Sequence, residues 1–282
     1  MNSPQPFTTE FATSGDGTTI GYRTIGSGPG LILVHGGMQA SQNFTSLAIE
    51  LSDSFTVHVP DRRGRGLSGT YGDGYNLNKE CEDIAALLKA TGARDVFGLS
   101  SGAIVALQAA LSFSSIHKIA LYEPPLSIDH SSPTSWVARF DREVAEGRLG
   151  AAFITVMKGL DASPIFRLLP RFVLEPMFQL ALKNEDLKEG DVPLNRLIPT
   201  MHFDVQLVLE TEGLLPTFGA VGAEALLLGG SKSQAFLRLA LDALSTTLAR
   251  CHRITFPALD HMGPDNSGKP ALVADELRRF FS

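Results

Sequence analysis

Val96-Phe97-Gly98-Leu99-Ser100-Ser101-Gly102 is the most informative stretch of this 282-residue chain. Its apolar start predicts a strand, and the small and aliphatic residues 103–111 that follow predict a buried helix. A Gly-x-Ser-x-Gly turn between a strand and a helix is the setting of a nucleophile elbow, in which the serine hydroxyl projects above a sheet. The pentapeptide alone also fits a plain loop before a core helix, so its flanks carry the interpretation.

Strand and helix patterns alternate along most of the chain. Strand-like segments occur at 18–24, 31–34, 55–59, 95–97, 119–122, 225–228 and 253–256. Helical patterns occur between them, including one at about 79–91, and the last runs from about 270 to 281. This alternation predicts an α/β fold with a mostly parallel sheet and helices on both of its faces.

One segment, residues 127–220, interrupts this alternation. It shows helical patterns at 135–147, 150–159, 164–182 and 201–212 and no clear strand. A strand-to-strand crossover needs only about 10–12 residues, so this segment is longer than an ordinary crossover helix requires. We interpret 127–220 as a helical cap inserted after the sixth strand, with 1–126 and 221–282 forming the core domain.

Charge and composition exclude several classes of function. A formal net charge of -6 and a pI of about 5.6 disfavour nucleic acid as a partner. The two cysteines do not make a disulfide framework, and residues 1–10 lack the apolar region of a secretory signal. No run of 18 apolar residues occurs. We therefore expect a cytoplasmic protein that acts on a small molecule without a membrane partner, and we leave a homodimer open.

A serine nucleophile needs a general base, and His261 is the best candidate. It lies between the last strand and the last helix, on a loop at the carboxyl edge of the sheet, where ligands of α/β sheets bind. The competing histidines lie in the predicted cap, near strand starts, within the 55–59 strand or beside an oxyanion candidate. They are His35, His58, His117, His130, His202 and His252.

Two backbone N–H groups should bind the negative charge that develops on the substrate oxygen. One belongs to Ser101, directly after the nucleophile. The other should come from His35-Gly36-Gly37-Met38, because glycines allow the backbone to approach a substrate closely. Gly37 is the preferred donor, and Met38 is the alternative if the loop is shifted by one residue.

These motifs together resemble the α/β-hydrolase family. The matching segments are 35–37, 61–68, the elbow and 260–261, which span most of the chain outside the predicted cap. The resemblance implies an eight-stranded, mostly parallel sheet with a helical cap between strands six and seven. It also implies a serine hydrolase that needs no metal or organic cofactor, with a structural role for Asp61 and Arg65.

The chain departs from the family in its acid. In the family a carboxylate usually follows the seventh strand, but here that strand leads into residues 229–234, where Ser233 stands in the expected place. A serine can hydrogen-bond an imidazole but cannot stabilise its charged form. Glu123, at the carboxyl end of the sixth strand, is the best replacement, because in the family's strand order that strand neighbours the elbow strand.

Other roles and other acids remain open at this point. Glu123 could instead bond backbone N–H groups at the entry to the cap. Asp260, Asp204 and Glu210 are the remaining candidates for the acid. A glutamate after the sixth strand and a Gly-x-Ser-Ser-Gly elbow are together similar to the zearalenone-type lactone hydrolases, and this resemblance supports Glu123.

The predicted reaction is hydrolysis of a carboxylic ester or lactone through an acyl-Ser100 intermediate, with His261 as base and Glu123 as acid. The cap should select an apolar substrate, and we predict contacts from Met38, Trp136 and Phe203. An epoxide hydrolase or dehalogenase would need a carboxylate at the elbow. A lyase or cyclase, or a ligand-binding protein on the same scaffold, remains the alternative.

Overall fold

The computed structural model describes residues 7–282. Its strands are β1 (Thr8–Thr13), β2 (Thr19–Gly26), β3 (Gly30–Val34), β4 (Thr56–Pro60), β5 (Asp95–Leu99), β6 (Lys118–Tyr122), β7 (Glu224–Gly230) and β8 (Cys251–Phe256). The α-helices are α1 (Thr45–Leu51), α2 (Leu77–Thr91), α3 (Ser101–Ser112), α4 (Val137–Ala145), α5 (Leu149–Gly159), α6 (Pro164–Leu168), α7 (Arg171–Ala181), α8 (Leu194–Leu197), α9 (Met201–Glu210), α10 (Ala235–Thr247) and α11 (Pro270–Phe281). Short 3₁₀ helices cover Ser41–Phe44, Ile198–Thr200 and Leu215–Ala220.

The strands form one eight-stranded sheet in the order β1-β2-β4-β3-β5-β6-β7-β8. β2 pairs antiparallel with both β1 and β4, and the remaining pairs are parallel. The predicted α/β fold with a mostly parallel sheet is confirmed. β5 lies between β3 and β6, with Leu99 opposite Tyr122, so the residues that follow β5 and β6 emerge side by side.

Helices cover both faces of the sheet. On one face α2, α3 and α10 pack through aliphatic side chains such as Ile84, Ile104 and Leu241. On the other face α1 and α11 pack through side chains such as Leu47 and Leu277. Burial of these apolar surfaces is the main favourable contribution to folding, and it holds the carboxyl ends of the strands in a fixed arrangement.

The segment 127–220, which we call the helical segment, contains α4 to α9 and no strand. It has an apolar cluster of its own, built around Trp136, Phe140 and Val156. The 164–182 pattern, which predicts a helix broken near Pro170 or Pro176, forms two helices, α6 and α7. The break is at Pro170, which stands at the N-cap of α7, and Pro176 lies inside α7. Proline restricts the residue before it and has no N–H to donate, which explains the break.

β1 is an element that the sequence patterns did not predict. Only Ala12 of its six residues is buried, so it lacks the alternation of apolar and polar residues that marks a strand. It forms by pairing with β2 at the edge of the sheet. Within residues 7–282 no helix is both long and apolar enough to cross a membrane.

Candidate active site

Ser100 lies between β5 and α3 in a strained backbone conformation, with φ 55° and ψ -125°. A positive φ is costly for a residue with a side chain and is typical of functional turns. The flanking glycines are sterically required. A Cβ atom on Gly98 would lie 2.4 Å from the carbonyl oxygen of Gly102, and one on Gly102 would lie 2.4 Å from that of His35. Strand and helix therefore approach as closely as a nucleophile elbow needs.

The structure brings Glu123 and His261 together. His261 lies on the loop between β8 and α11, and its Nδ1 is 2.7 Å from Glu123 Oε2. The carboxylate is fully buried, whereas the imidazole keeps 26% of its side chain exposed. The backbone N–H of Gly230 donates to the other carboxylate oxygen, Oε1, at 2.7 Å. Both oxygens of Glu123 are therefore held, and one of them holds the imidazole.

The Glu123 side chain reaches His261 by crossing the carboxyl end of β7. Glu123 itself has a positive φ of 49°, and its N–H donates to the carbonyl oxygen of Leu228 at 3.1 Å. A Cβ atom on Gly229 would lie 3.0 Å from Glu123 Oε1 and 2.7 Å from a methyl carbon of Leu241. The missing side chain at Gly229 thus leaves the space that the glutamate occupies.

Ser233 lies after β7 as the sequence predicts, but in the described structure it forms no hydrogen bond with the His261 imidazole. Its side chain is buried, and its Oγ has no hydrogen-bond partner among the described residues. Its carbonyl oxygen accepts a hydrogen bond from Arg238. The position that carries the acid in the family therefore holds a hydroxyl that orients nothing.

The other candidate acids bond elsewhere. The carboxylate of Asp260 accepts from the N–H of Met262 at 3.0 Å. The carboxylate of Glu210 accepts from the N–H of Leu77 at 2.7 Å and from Gln206 at 2.8 Å. Asp204 pairs with two arginines, as described below. Within residues 7–282, Glu123 is the carboxylate that bonds the His261 ring.

Ser100 Oγ and the His261 ring share no hydrogen bond within residues 7–282. Catalytic hydrogen bonds are often long in structures without substrate and tighten in the complex. Because Nδ1 is bonded to Glu123, Nε2 is the ring nitrogen that remains to exchange a proton with a nucleophile.

The oxyanion loop follows β3, and a chain of side chains anchors it to the His261 loop. The N–H of Gly36 donates to Gln39 Oε1 at 2.9 Å, and Gln39 Nε2 donates to buried Asp265 at 2.9 Å. In the described part of the chain, the N–H groups of Gly37 and Ser101 donate to no protein acceptor. Ser101 is the first residue of α3, where N–H groups have no intrahelical partner. Both predicted donors are thus unused.

A buried ionic cluster lies directly behind these donors. Arg62 bonds Glu80 through two nitrogens, at 3.1 and 2.9 Å, and bonds Asp204 Oδ1 at 2.8 Å. Arg65 bonds Asp204 Oδ2 at 2.6 Å. Ser101 Oγ donates to Asp204 Oδ1 at 2.8 Å. Two guanidinium groups therefore face two carboxylates, and the cluster is neutral overall.

The cluster fixes the charge states of its members. Burial alone would raise the pKa of Asp204, but the charges of Arg65 and Arg62 and the Ser101 hydrogen bond hold it well below its usual range. Burial and the same two arginines lower the pKa of His35 well below its usual value. At neutral pH Asp204 is therefore ionised and His35 is neutral, and the N–H of Arg62 donates to His35 Nε2 at 3.2 Å.

The three predicted substrate contacts occupy different environments. Met38 has a positive φ of 52° and packs against the apolar cluster of the helical segment. Trp136 belongs to that cluster, and its indole N–H donates to the carbonyl oxygen of Pro133 at 2.7 Å. Phe203 stacks on Tyr71 with ring centroids 3.5 Å apart, which attaches α9 to the core. Contact with a substrate stays a prediction for all three.

Two residues of α9 approach the oxyanion loop: Asp204, which the sequence suggests only as a candidate acid, and Met201, for which the sequence gives no such signal. A Cβ atom on Gly37 would lie 3.2 Å from both Met201 Sδ and Asp204 Oδ2. These residues stand three positions apart and so lie on one face of the helix. Among residues 7–282, no group of three His, Cys, Asp or Glu side chains is arranged to hold a metal ion.

Comparison with protein families gives a match over most of the chain. A family model described as the alpha/beta hydrolase family matches residues 31–276. A solved structure of an alpha/beta hydrolase from Sphaerobacter thermophilus is 30% identical, with a TM-score of 0.77, and the match covers 97% of this chain and 100% of that one. These matches agree with the observed fold.

Matches to proteins with a named activity are shorter or more distant. A segment of 97 residues is 39% identical to 2-(acetamidomethylene)succinate hydrolase of Mesorhizobium japonicum and covers 34% of this chain and 35% of that protein. The matches span less than half the length of the curated relatives. Naproxen esterase (carboxylesterase NP) of Bacillus subtilis shares the fold, with a TM-score of 0.71 over 99% of this chain and 93% of that one, at 15% identity.

Proposed function

Because this chain belongs to the alpha/beta hydrolase family, we propose that it hydrolyses a carboxylic ester or lactone of an apolar small molecule through an acyl-Ser100 intermediate. The observation that carries the proposal is the 2.7 Å contact between Glu123 Oε2 and His261 Nδ1. The loops that carry these two residues meet at the edge of the sheet where Ser100 also lies. An oriented imidazole beside an elbow serine is the arrangement that activates a hydroxyl.

In the first step, Ser100 Oγ attacks the carbonyl carbon and its proton passes to His261 Nε2. The carbonyl oxygen becomes an oxyanion, and the N–H groups of Gly37 and Ser101 bind it. The carbon–oxygen bond to the alcohol then breaks, and the proton on Nε2 moves to the departing oxygen. With a lactone, the alcohol stays attached to the acyl group on the serine.

In the second step, water takes the place of the alcohol. His261 removes a proton from the water, whose oxygen attacks the acyl carbon. The bond to Ser100 breaks, the serine regains its proton from Nε2, and the carboxylic acid leaves. The reaction consumes one water and needs no cofactor.

Glu123 acts through the imidazole. Its Oε2 accepts a hydrogen bond from Nδ1–H, which fixes the tautomer whose Nε2 can receive the serine proton. The same carboxylate stabilises the imidazolium that forms during each step. Its burial and the Gly230 hydrogen bond keep it in place.

The charges around the site favour a neutral acyl group. Arg62 and Arg65, which contact Ser101 and His35, are already paired with Glu80 and Asp204. An anionic substrate would therefore find no free guanidinium there, and burying an unpaired charge is costly. Met38 and Met201 add adaptable apolar surface beside Gly37. In this proposal 127–220 is a cap that selects the substrate, and 1–126 with 221–282 is the core.

A substrate screen on the purified protein tests the proposal. Neutral p-nitrophenyl esters of increasing acyl size, aryl lactones and a succinate half-ester are compared, with Ser100→Ala as the control. Lactones are included because the position of Glu123 is similar to that of the zearalenone-type lactone hydrolases. We expect neutral esters or lactones to be preferred over the half-ester by about tenfold or more.

Trapping the intermediate tests the mechanism. A rapidly quenched reaction should show, by mass spectrometry, the mass of the acyl group on the peptide that contains Ser100. A fluorophosphonate should label the same serine. Failure of fluorophosphonate to label Ser100, with no ester or lactone turned over, would contradict the proposal and favour a ligand-binding role. Turnover without an acyl adduct would contradict the covalent step, and a product that had gained no water would favour a lyase or cyclase.

A further inference from the structure

Helix α9 approaches both residues whose backbone N–H groups would form the proposed oxyanion site. Its residue Asp204 bonds the Ser101 side chain at 2.8 Å and lies 3.2 Å from the position of a Cβ atom on Gly37. The contact with Gly37 is close enough that a methyl group there would displace the carboxylate or Met201. One carboxylate from the helical segment thus borders the two residues whose N–H groups would bind the oxyanion.

The hydrogen bonds of Asp204 leave it little freedom. Oδ1 accepts from Arg62 and Ser101, and Oδ2 accepts from Arg65 at 2.6 Å. Arg62 is itself fixed by Glu80, which also accepts from Tyr75 at 2.7 Å. All four charged groups are buried. Charge-assisted hydrogen bonds of this kind are strong and directional, so the cluster transmits the position of α9 to Ser101.

We propose that Asp204 is a positioning residue for the oxyanion site, through which the helical segment sets the placement of the Ser101 and Gly37 N–H groups. This inference rests on the proposed function. Oxyanion donors act only at short range, so a small displacement of either one weakens its interaction with the transition state. Asp204 touches neither the substrate nor the reacting atoms in this account, and it acts through Ser101 and the oxyanion loop.

The chain contains a matched control. Asp83 is a second buried carboxylate that bonds an arginine through two nitrogens, Arg63 Nε at 2.7 Å and Nη2 at 2.6 Å. It is as buried as Asp204, at 3% against 2% exposure. Asp83 makes no hydrogen bond to Ser101 or to the oxyanion loop in the described structure. Asp83→Asn therefore measures how much stability is lost when a buried ion pair is disturbed away from the proposed oxyanion site.

The experiment compares Asp204→Asn with Asp83→Asn in the full chain. Burial raises the pKa of Asp83 to about 6, so an assay at about pH 8 keeps both wild-type carboxylates ionised. The substrate is a p-nitrophenyl ester, and fluorophosphonate labelling gives a second rate. Temperatures stay well below the melting temperature of each variant.

We expect Asp204→Asn to lower kcat by about 10²-fold, as displacement of an oxyanion donor does, with KM changed by less than about threefold. The fluorophosphonate labelling rate should fall in parallel. Asp83→Asn should lower the melting temperature by a similar amount and keep the wild-type kcat. Equal kcat values for the two variants, measured on folded protein, would overturn the proposal.

A second variant covers the case in which Asp204→Asn does not fold. Ser101→Ala keeps the backbone N–H of residue 101 and removes the side-chain hydrogen bonds that join it to Asp204 and Arg62. We expect about a tenfold lower kcat with an unchanged KM, and a wild-type kcat would contradict the inference. Failure of the proposed function is distinguishable, because it would leave wild-type Ser100 unlabelled by fluorophosphonate, whereas failure of this inference would leave all variants labelled at one rate.

Discussion

The carboxyl ends of β6 and β7 lie side by side and differ in what they offer the imidazole. β6 ends at Tyr122 and is followed by Glu123, whose carboxylate bonds His261 Nδ1. β7 ends in Gly229-Gly230 and is followed by a loop in which buried Ser233 Oγ has no hydrogen-bond partner within residues 7–282. In the family the second position usually carries the acid, and here the carboxylate that bonds the imidazole stands at the first.

The two ends are complementary. The absent side chain at Gly229 makes room for Glu123, and the N–H of Gly230 donates to it. A carboxylate rooted on β6 thus occupies the space above the end of β7. A carboxylate from β6 can therefore lie beside His261 Nδ1 because β7 ends in two glycines. This comparison leads to four predictions, given in order of decreasing effect.

Removal of the nucleophile or the base should have the largest effect. Ser100→Ala or His261→Ala is expected to lower kcat by about 10⁶-fold, because loss of either group disables the proton transfer that both steps need. Steady-state kinetics on a p-nitrophenyl ester gives the measurement. Activity of Ser100→Ala above about a hundredth of the wild-type rate would show that the reaction does not pass through this serine.

Glu123→Gln should rank second. The amide is close in size to the carboxylate and can still accept from the Gly230 N–H, but its NH₂ group would donate to Nδ1 and favour the wrong tautomer. By analogy with loss of the orienting acid in serine proteases, we expect about a 10⁴-fold fall in kcat. Circular dichroism should show an unchanged fold. A fully active Glu123→Gln enzyme would refute the assignment of the acid to the end of β6.

Gly229→Ala tests whether Glu123 needs the space that the absent side chain of Gly229 leaves at the end of β7. The added methyl group would crowd Glu123 Oε1 at 3.0 Å and a methyl carbon of Leu241 at 2.7 Å. We expect the carboxylate to shift and kcat to fall by about 10²-fold, the effect of a misplacement of roughly 1 Å. Gly219→Ala is a suitable control, since its nearest neighbour would be 3.5 Å away. Equal kcat values for the two alanine variants would show that Glu123 does not depend on this gap.

Ser233→Ala should have the smallest effect. Its hydroxyl is buried without a hydrogen-bond partner among the described residues, and a buried unpaired hydroxyl is unfavourable. We expect kcat within about twofold of wild type and a melting temperature that is equal or higher. A large loss of kcat would mean that Ser233 takes part in orienting the imidazole, and the contrast between the two strand ends would fail.

Much of the site could be predicted because its residues stand at the ends of elements with clear patterns. Ser100 follows a strand and precedes a helix, and His261 follows the last strand. Parallel strands bring their carboxyl ends to one edge, so the strand order alone brings Glu123 near the elbow. The contact between Glu123 and His261 is observed, and its catalytic role stays a proposal.

The rest depends on how elements pack. Asp204 stands out in the sequence only as one more carboxylate of the helical segment, because its pairing with Arg62 and Arg65 needs the orientation of α9 on the core. Met201 was one of many apolar residues in that segment, and nothing in its spacing indicates contact with Gly37. The Gly229-Gly230 pair was a signal that could have been used, since two glycines at the end of a buried strand indicate the close approach of another group.

The most direct test of Glu123 as the acid is to observe the proton on His261 Nδ1 by NMR. A short hydrogen bond from a protonated imidazole to a carboxylate moves this proton far downfield in the NMR spectrum. We predict the resonance in the wild-type enzyme and in Ser233→Ala, and its loss in Glu123→Gln and in His261→Ala. A resonance that survives in Glu123→Gln and disappears in Ser233→Ala would place the partner of the imidazole at the end of β7 and contradict this account.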